Sequence, residues 1–483
     1  MSRTSISPPP LKRQKRTQPS PGIAGPCAPP VFSPPITPAM GTLRIFSWNV
    51  NGIAPFVQPY LQKSIKSFFG VSTNVPASST GRKRRRSVGE DEAGADVITE
   101  SDSDGHGKLH FQGRSDGDDN PSKEGEASLR EVLKRYGWPQ ILFLQEVKIK
   151  PGDDKTKNAV RVAVNDAQRP ATKTGAKRLK TNRTASISSD TEPLADGGPG
   201  YDTFFNLPAD PHNAKGFGGR VYGVATIIRK EFMDLHVKEV RDVTWDRGGR
   251  VQVIETKDLS FPFDTPEASA STSDSDGNRR KLAILNIYAV NGTTNVYRST
   301  HTGAPAGTRH DQKLAFHADL FREARLLESQ GYSVIIAGDL NVAPDERDGH
   351  PSLRTFPAQH VRNRADFNSK FLSRDLVNTA PNKVSYKLAE ASLPIVDSDY
   401  IRQGMNGIDT FRHVRGSERR YSYHPRGRPW GSSCDRVDLI VVSRTLKNDI
   451  MNAGICDSPR DRGPSDHCPV WVEIGCHGET DTD

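Results

Sequence analysis

Apolar and polar positions alternate along Leu43-Arg44-Ile45-Phe46-Ser47-Trp48, which predicts a strand, and the run ends on the amides Asn49 and Asn51. Gln140-Ile141-Leu142-Phe143-Leu144 is instead continuously apolar, the pattern of a strand buried on both faces. Similar runs predict strands over Tyr201–Asn206, Gly223–Ile228, Val251–Thr256, Leu282–Tyr288, Val334–Ala337, Val437–Val442 and Val470–Ile474. Leu129–Tyr136 reads as a short helix, and Gln312–Ser329 and Asp366–Asn378 as further helices. Many short apolar strands with few long helices predict two sheets packed face to face and flanked by helices. No internal repeat is visible.

Between these runs the chain is polar. Residues 1–40 are Pro-rich and basic and hold no acid, the composition of a disordered arm. Polar stretches over about 71–127, 151–198 and 264–280 have too little apolar surface to fold. They are expected to be disordered insertions in a single domain, 41–477, with 478–483 as a disordered tail. The totals fit that division. Of 483 residues 34% are hydrophobic, less than the about 45–50% usual in globular chains, even allowing for glycine. No stretch nears the roughly 18 consecutive apolar residues of a membrane helix, and the start has no apolar signal core, so neither a membrane nor secretion is expected. The five cysteines (Cys27, Cys434, Cys456, Cys468 and Cys476) contain no Cys-x-x-Cys pair, which argues against a zinc finger or disulfide framework and for a reducing compartment. Lys+Arg exceeds Asp+Glu by 67 − 58 = 9, a balance that permits a polyanionic partner. Two basic runs, Leu11–Arg16 and Gly81–Ser87, point to nuclear import, the plainer alternative being solvated charge.

The chemistry-bearing residues stand where apolar strands end. Asn49 and Asn51 follow the first strand, Gln145 and Glu146 follow Ile141–Leu144, Asp339 and Asn341 follow Val334–Ala337, and Asp466 and His467 follow Gly463-Pro464-Ser465. Polar residues end strands in most proteins, so no single one of these is informative. Four such ends are, because strand ends converge on one rim of a sheet. The set is rich in hard oxygen donors (Glu146, Asp339, Asp466 and the amides of Asn49, Asn51 and Asn341), which suits Mg²⁺ or Mn²⁺ and not zinc. Such an ion with a histidine and spare carboxylates suits hydrolysis of a phosphate ester.

These same stretches carry a family resemblance. FSWNVNGI (46–53), ILFLQEVK (141–148), NIYAVN (286–291), GDLNVA (338–343), DTFRH (409–413), RVDLIVVS (436–443) and GPSDHCPV (463–470) resemble the exonuclease III/apurinic-apyrimidinic endonuclease branch of the endonuclease/exonuclease/phosphatase superfamily. The resemblance implies an α/β four-layer sandwich, with two packed, mainly antiparallel sheets flanked by helices. It implies that Glu146 ligates the metal, with Asn51 and Asp466 in the same shell and Asp339, Asn341 and His467 as the further metal-site residues. Asp339 would position or deprotonate the attacking water, and Asn341 would orient it. His467 would donate to a phosphate oxygen and Asp438 would hold its tautomer. Tyr288 would contact the scissile phosphate, ordered by Asn49 and Asn291, while Arg412 and His413 would support the rim. Read alone, Asp438 has an alternative, an ion pair with Arg436 or Arg412, and Tyr288 has another, packing on the sheet. Cys468 is expected to be a small buried hydrophobe. Asp435, immediately before Arg436, and Tyr288-Ala289-Val290-Asn291, which lacks a proline, depart from the family pattern.

A duplex substrate needs cationic contacts to its phosphates. Rim candidates are Lys148, Lys150, Lys215, Arg220, Arg247, Arg250, Arg415, Arg419, Arg420, Arg426 and Arg428. Tyr423, His424 and Trp430 are candidates to line a lesion pocket. The expectation is a monomeric nuclear enzyme of base-excision repair that cuts duplex DNA 5′ to abasic sites using Mg²⁺ (or Mn²⁺), with 3′–5′ exonuclease or 3′-end-cleaning activity beside it. The alternatives are a general nuclease, an RNase, an inositol or phospholipid phosphatase, or an inactive nuclear nucleic-acid-binding protein.

Overall fold

The computed structural model describes residues 41–66, 128–167, 194, 196–214, 222–260, 279–373 and 404–475, all within the unit Ser33–Asp483. The arm, the tail, both basic runs, Lys215 and Arg220 lie outside the described residues.

In chain order the strands are β1 (Leu43–Asn49), β2 (Ile141–Gln145), β3 (Tyr201–Asn206), β4 (Val224–Arg229), β5 (Val237–Asp242), β6 (Val251–Ser260), β7 (Arg279–Tyr288) and β8 (Val296–Arg298). They continue with β9 (Pro305–Thr308), β10 (Tyr332–Asp339), β11 (Gly349–His350), β12 (Ile408–Asp409), β13 (Cys434–Asp435), β14 (Asp438–Val442), β15 (Ile450–Ile455) and β16 (Val470–Ile474). The helices are α1 (Ala54–Lys66), α2 (Leu129–Arg135), α3 (Asp154–Asn165), α4 (Lys230–His236), α5 (Arg309–Ser329), α6 (Gln359–Phe371), α7 (Thr410–Arg415) and α8 (Pro459–Arg462).

Two six-stranded sheets form, ordered β15-β16-β1-β2-β4-β3 and β12-β14-β10-β7-β6-β5. Each holds one parallel pair, β1/β2 in the first and β7/β10 in the second, and every other neighbour is antiparallel. The continuous apolar runs are explained by burial on both faces. Ile45, Ile141 and Phe143 of the first sheet meet Ile284, Ile335 and Ile440 of the second in the central layer. On the outer side of the first sheet, Phe46, Trp48, Leu142 and Leu144 pack under α1, α2 and α3. On the outer side of the second, Leu285, Ile287 and Ile336 pack under Phe316 and Leu320 of α5 and Phe367 and Phe371 of α6. The architecture is a four-layer α/β sandwich.

Some expectations need correction. Residues 154–165 fall in the stretch expected to be disordered, yet they form α3. Its start is capped by Asp153, whose side chain accepts from the Thr156 amide (3.0 Å). Ala159, Val160, Ala163 and Val164 share one face of this otherwise polar helix and are buried in the α1–α2 layer. Burial of each valine stabilises by about 1.5–3 kcal/mol. Strand β7 begins at Arg279, two residues inside the third expected insertion. Helix α6 runs over Gln359–Phe371, earlier than the expected Asp366–Asn378, and residues 374–378 lie outside the described residues. Cys434, Cys456 and Cys468 are free and buried. Among the described residues no helix is long and apolar enough to cross a membrane.

Candidate active site

The parallel pairs decide where the chemistry gathers. Because β1 and β2 run side by side (Asn49↔Gln145), Asn49, Asn51 and Glu146 leave the first sheet at one rim. Because β7 and β10 do the same (Asp339↔Tyr288), Tyr288, Asp339 and Asn341 leave the second sheet together. The antiparallel β14 brings its first residue, Asp438, opposite Asp339. The turns that follow are tight: Asn51 (φ 50°), Glu146 (φ 54°) and Asn341 (φ 51°) all adopt the left-handed backbone, uncommon for residues with a side chain and concentrated at functional sites.

Asn49 ties the two sheets together. Its Nδ2 donates to Asp339 Oδ2 (2.9 Å) and to Glu146 Oε2 (3.2 Å), while its Oδ1 accepts from the Asn51 amide (3.0 Å). Asp339 Oδ1 accepts from the Asn341 amide (2.9 Å), and Asn341 Nδ2 donates to Ala289 O (3.0 Å). His467 Nδ1 meets Asp438 Oδ2 at 2.7 Å, both groups buried. Asp438 therefore pairs with the histidine and not with Arg436 or Arg412. The His467 loop is fixed by Trp48 Nε1, which donates to His467 O (2.8 Å), and by Ser465 Oγ, which donates to Asn49 O (2.5 Å) and accepts from the His467 amide (3.0 Å). One ligand atom each from Asp339, Asp438 and His467 lies within 4.8 Å of the others.

Electrostatics follow from this crowding. Burial, then the neighbouring Asp438 carboxylate, push the Asp339 carboxyl up to about 7. For His467, burial works against the charged ring, but the Asp438 and Asp339 carboxylates outweigh it and hold the imidazolium up to about 10. The site thus pairs a carboxyl that ionises near neutrality with an imidazole that stays protonated well above it. Tyr288 is buried, and burial, then the Glu146 carboxylate, raise its hydroxyl well above the usual range, so it keeps its proton. Arg250 lies 5.0 Å from the Tyr288 ring centre and 4.8 Å from that of Tyr222, and its Nη1 donates to Tyr288 O (3.2 Å). Arg250 thus holds the tyrosine in place.

Beside this group lies an oxygen-rich set. Asn51 Nδ2 donates to Asp466 Oδ1 (2.9 Å). Lys148 Nζ sits 3.0 Å from Glu146 Oε1 and donates to Asn51 Oδ1 and, at 3.3 Å, to Asn51 O. An ammonium lodged among these donors shows that they attract a cation. Carboxylate and amide oxygens suit a hard divalent ion, and the Glu146 and Asn51 oxygens at the Lys148 ammonium, with Asp466 bonded to Asn51, fit one.

Sequence reasoning missed Lys313. It is fully buried on α5, and its Nζ donates to Leu340 O (3.2 Å) and Asn341 O (2.8 Å), clamping the turn that carries Asp339 and Asn341. Burial pushes its amine down to about 7. The available signal was its spacing with Phe316 and Leu320 on the apolar face of that helix.

Several expected contacts to DNA are placed otherwise. Lys148 lies within the oxygen set and not on an open rim. Arg412 is buried. It pairs with Asp348, which also receives Arg436 (2.7 Å), and it donates to Gly416 O (3.2 Å) and Glu418 O (2.5 Å). His413 is exposed beside Lys447, which follows the end of β14 remote from Asp438. Arg415 is bound to β15 through Ala453 O and Asn452 Oδ1 (both 2.9 Å). Tyr423 is half-buried, its ring 5.0 Å from that of His467. Trp430 stacks on His424 (3.8 Å, 6°) and has Arg462 over its ring at 5.1 Å. Asn291 is exposed and accepts from Arg309 Nη1 (3.0 Å), whose other nitrogen donates to the Tyr222 hydroxyl (3.3 Å). Lys150, Arg247, Arg419, Arg426 and Arg428 are exposed, and Arg426 Nε donates to Ser465 O (3.1 Å), close to His467.

The profile of the Endonuclease/Exonuclease/phosphatase family matches residues 46–467. Among curated proteins, DNA-(apurinic or apyrimidinic site) endonuclease 2 of Saccharomyces cerevisiae (strain ATCC 204508 / S288c) is 28% identical over 177 residues, 34% of this chain and 32% of that protein. The match thus spans about a third of that relative's length. Similar solved structures include the Xenopus laevis APE2 catalytic domain (14% identity, TM-score 0.44, covering 91% of this chain and 94% of that one) and the AP endonuclease LMAP from Leishmania major (14%, TM-score 0.45, 90% and 88%).

Proposed function

The chain belongs to the endonuclease/exonuclease/phosphatase family, and from that premise we propose that it is a Mg²⁺-dependent DNA phosphodiesterase of base-excision repair that cuts duplex DNA on the 5′ side of abasic sites. The observation that carries the reading is the convergence of Asp339, Asp438–His467 and the Glu146–Asn51–Asp466 oxygen set at one rim.

Water attacks phosphorus, the bond between phosphorus and the upstream 3′ oxygen breaks, and the products are a 3′-hydroxyl and a 5′-deoxyribose phosphate. Asp339, ionising near neutrality, takes the proton of the attacking water. Asn341 fixes the direction of Asp339 through its amide and stands beside the water's path. His467, kept cationic by Asp438, donates to a phosphate oxygen as charge builds there. The buried hydroxyl of Tyr288, proton retained, donates to the same phosphate. Glu146, Asp466 and Asn51 would hold the divalent ion, which would supply positive charge to the phosphate and the departing oxygen. Phosphates on either side meet Arg426, Arg428 and Lys150 on the rim. The two basic runs, Leu11–Arg16 and Gly81–Ser87, support action in the nucleus.

The test is a duplex with one abasic analogue, incubated with the full chain and Mg²⁺, with and without EDTA. A single incision 5′ to the lesion, lost with EDTA and lost in Glu146→Gln and Asp339→Ala, is the expected result. Incision of RNA or release of phosphate from inositol phosphates, with the abasic duplex untouched, sinks the reading.

A further inference from the structure

Phe356 is 89% exposed, the most exposed of the large hydrophobic side chains described. Single exposed apolar residues are ordinary on protein surfaces, so its position is what matters. It lies in the loop between β11 and α6, and Arg354, two residues before it, ties that loop to the site twice. Arg354 Nε pairs with Asp435 Oδ2 (2.9 Å), the Asp435 carbonyl accepts from the Tyr423 amide (2.8 Å), and the Tyr423 ring lies 5.0 Å from that of His467. On the other side Arg364 Nη2 donates to Arg354 O (2.8 Å) while its Nε donates to Ala343 O (2.7 Å), two residues beyond Asn341. Asp435, which departs from the family pattern, is therefore the anchor of this loop.

The other rim aromatics are occupied. Tyr423 faces His467, and Trp430 is covered by His424 with Arg462 over its ring. Phe356 makes no ring contact among the described residues. The exposed Arg354 and Arg362 flank it in sequence, as suits a surface against a polyanion. A duplex that has lost a base leaves its neighbouring base with an uncovered face, and a flat apolar ring covers such a face without reading sequence.

We propose that Phe356 stacks on a base beside the scissile phosphate, at the step an abasic nucleotide leaves open. It is a residue of lesion recognition that leaves the chemistry alone. The inference rests on the duplex-DNA reading above. It is tested with the full chain and Mg²⁺ by comparing wild type, Phe356→Ala and Phe356→Trp on abasic and intact duplexes. Binding is followed separately in EDTA by the fluorescence of 2-aminopurine next to the abasic analogue. Phe356→Ala should raise KM for the abasic duplex about tenfold, within the range for loss of one base–aromatic stack, with kcat unchanged. Wild type and Phe356→Trp should quench the 2-aminopurine and Phe356→Ala should not. Phe356→Ala with the KM and quenching of a wild type that does cleave overturns this proposal alone, as does an equal loss on intact and abasic duplex. A wild type that neither binds nor cleaves the abasic duplex removes the substrate reading and this proposal with it.

Discussion

Replacing Asp438 by Asn tests the electrostatic core of the site. The His467–Asp438 contact is 2.7 Å long and buried. Burial alone lowers the basicity of an imidazole, and Asp438 is the largest influence opposing it in His467, whose value stands at about 10. With an amide at 438, His467 loses its largest support and keeps that of Asp339 and Asp466, so it should fall towards the ordinary histidine value of about 6.5. At that limit the protonated fraction at pH 8 drops from nearly all to about 0.03, so kcat/KM falls by up to about 30-fold on protonation alone, and falls further at each pH unit above, until wild type itself titrates. The same substitution removes the carboxylate that, after burial, does most to raise Asp339. The acid limb should therefore move down as well. Wild type should show a bell between pH about 7 and about 10, and Asp438→Asn a bell displaced to lower pH on both sides. The assay is kcat/KM on the abasic duplex against pH, with an independent NMR titration of the His467 ring assigned through His467→Gln. An unmoved alkaline limb with an unshifted His467 resonance would refute the reasoning. So would limbs that move in opposite directions.

Four further outcomes are expected. Lys313→Met leaves the carbonyls of Leu340 and Asn341 without their shared donor, and a small displacement of Asp339 should lower kcat by about 10²-fold with KM little changed, read from steady-state cleavage. Arg436→Met strips the buried Asp409 of its ion pair (2.6 Å) and leaves the buried Asp348 (2.7 Å) with Arg412 alone, and should destabilise by about 3–5 kcal/mol in urea unfolding. In metal-free protein, the stability that His467 contributes relative to His467→Gln should be full below pH about 6.5 and lost as pH rises to about 10, because its folded value is raised. Lys148→Met empties the seat between Glu146 and Asn51, and calorimetry should then show tighter binding of Mg²⁺.

The sandwich was legible because its central strands are apolar without interruption, and the site because its residues follow those strands directly. Asn49, Glu146, Asp339 and Tyr288 were expected at one rim because strand ends converge there, but the parallel pairing that brings them together was not legible in the sequence. Partners distant in sequence were not legible. Nothing local in Asp-Thr-Phe-Arg-His signals that Arg412 turns inward to Asp348, 64 residues earlier, or that Arg436 reaches the same carboxylate across 88. Lys148 looked available to phosphate because its sequence neighbours say nothing of Asn51. Helix α3 was hidden because only four small side chains mark its buried face. Phe356 carried no pattern at all. Its exposure depends on how Arg354 and Arg364 hold the loop.

The charge balance of the site connects its parts. Asp339, Asp438, Glu146 and Asp466 stand around one rim, and a phosphodiester would add to their negative charge. The cations that the chain supplies there are already engaged: His467 by Asp438, Lys148 by Glu146 and Asn51, and Lys313 by two carbonyls beneath the turn. The substrate therefore cannot be neutralised by the inner residues alone, and the shortfall falls to the arginines of the rim and to a divalent ion. A divalent ion held by Glu146, Asn51 and Asp466 would compete with the Lys148 ammonium for Glu146 and Asn51, and an ammonium so released would be free to meet the phosphate. Ion and substrate would then bind with positive coupling, because each would supply the charge that the other lacks.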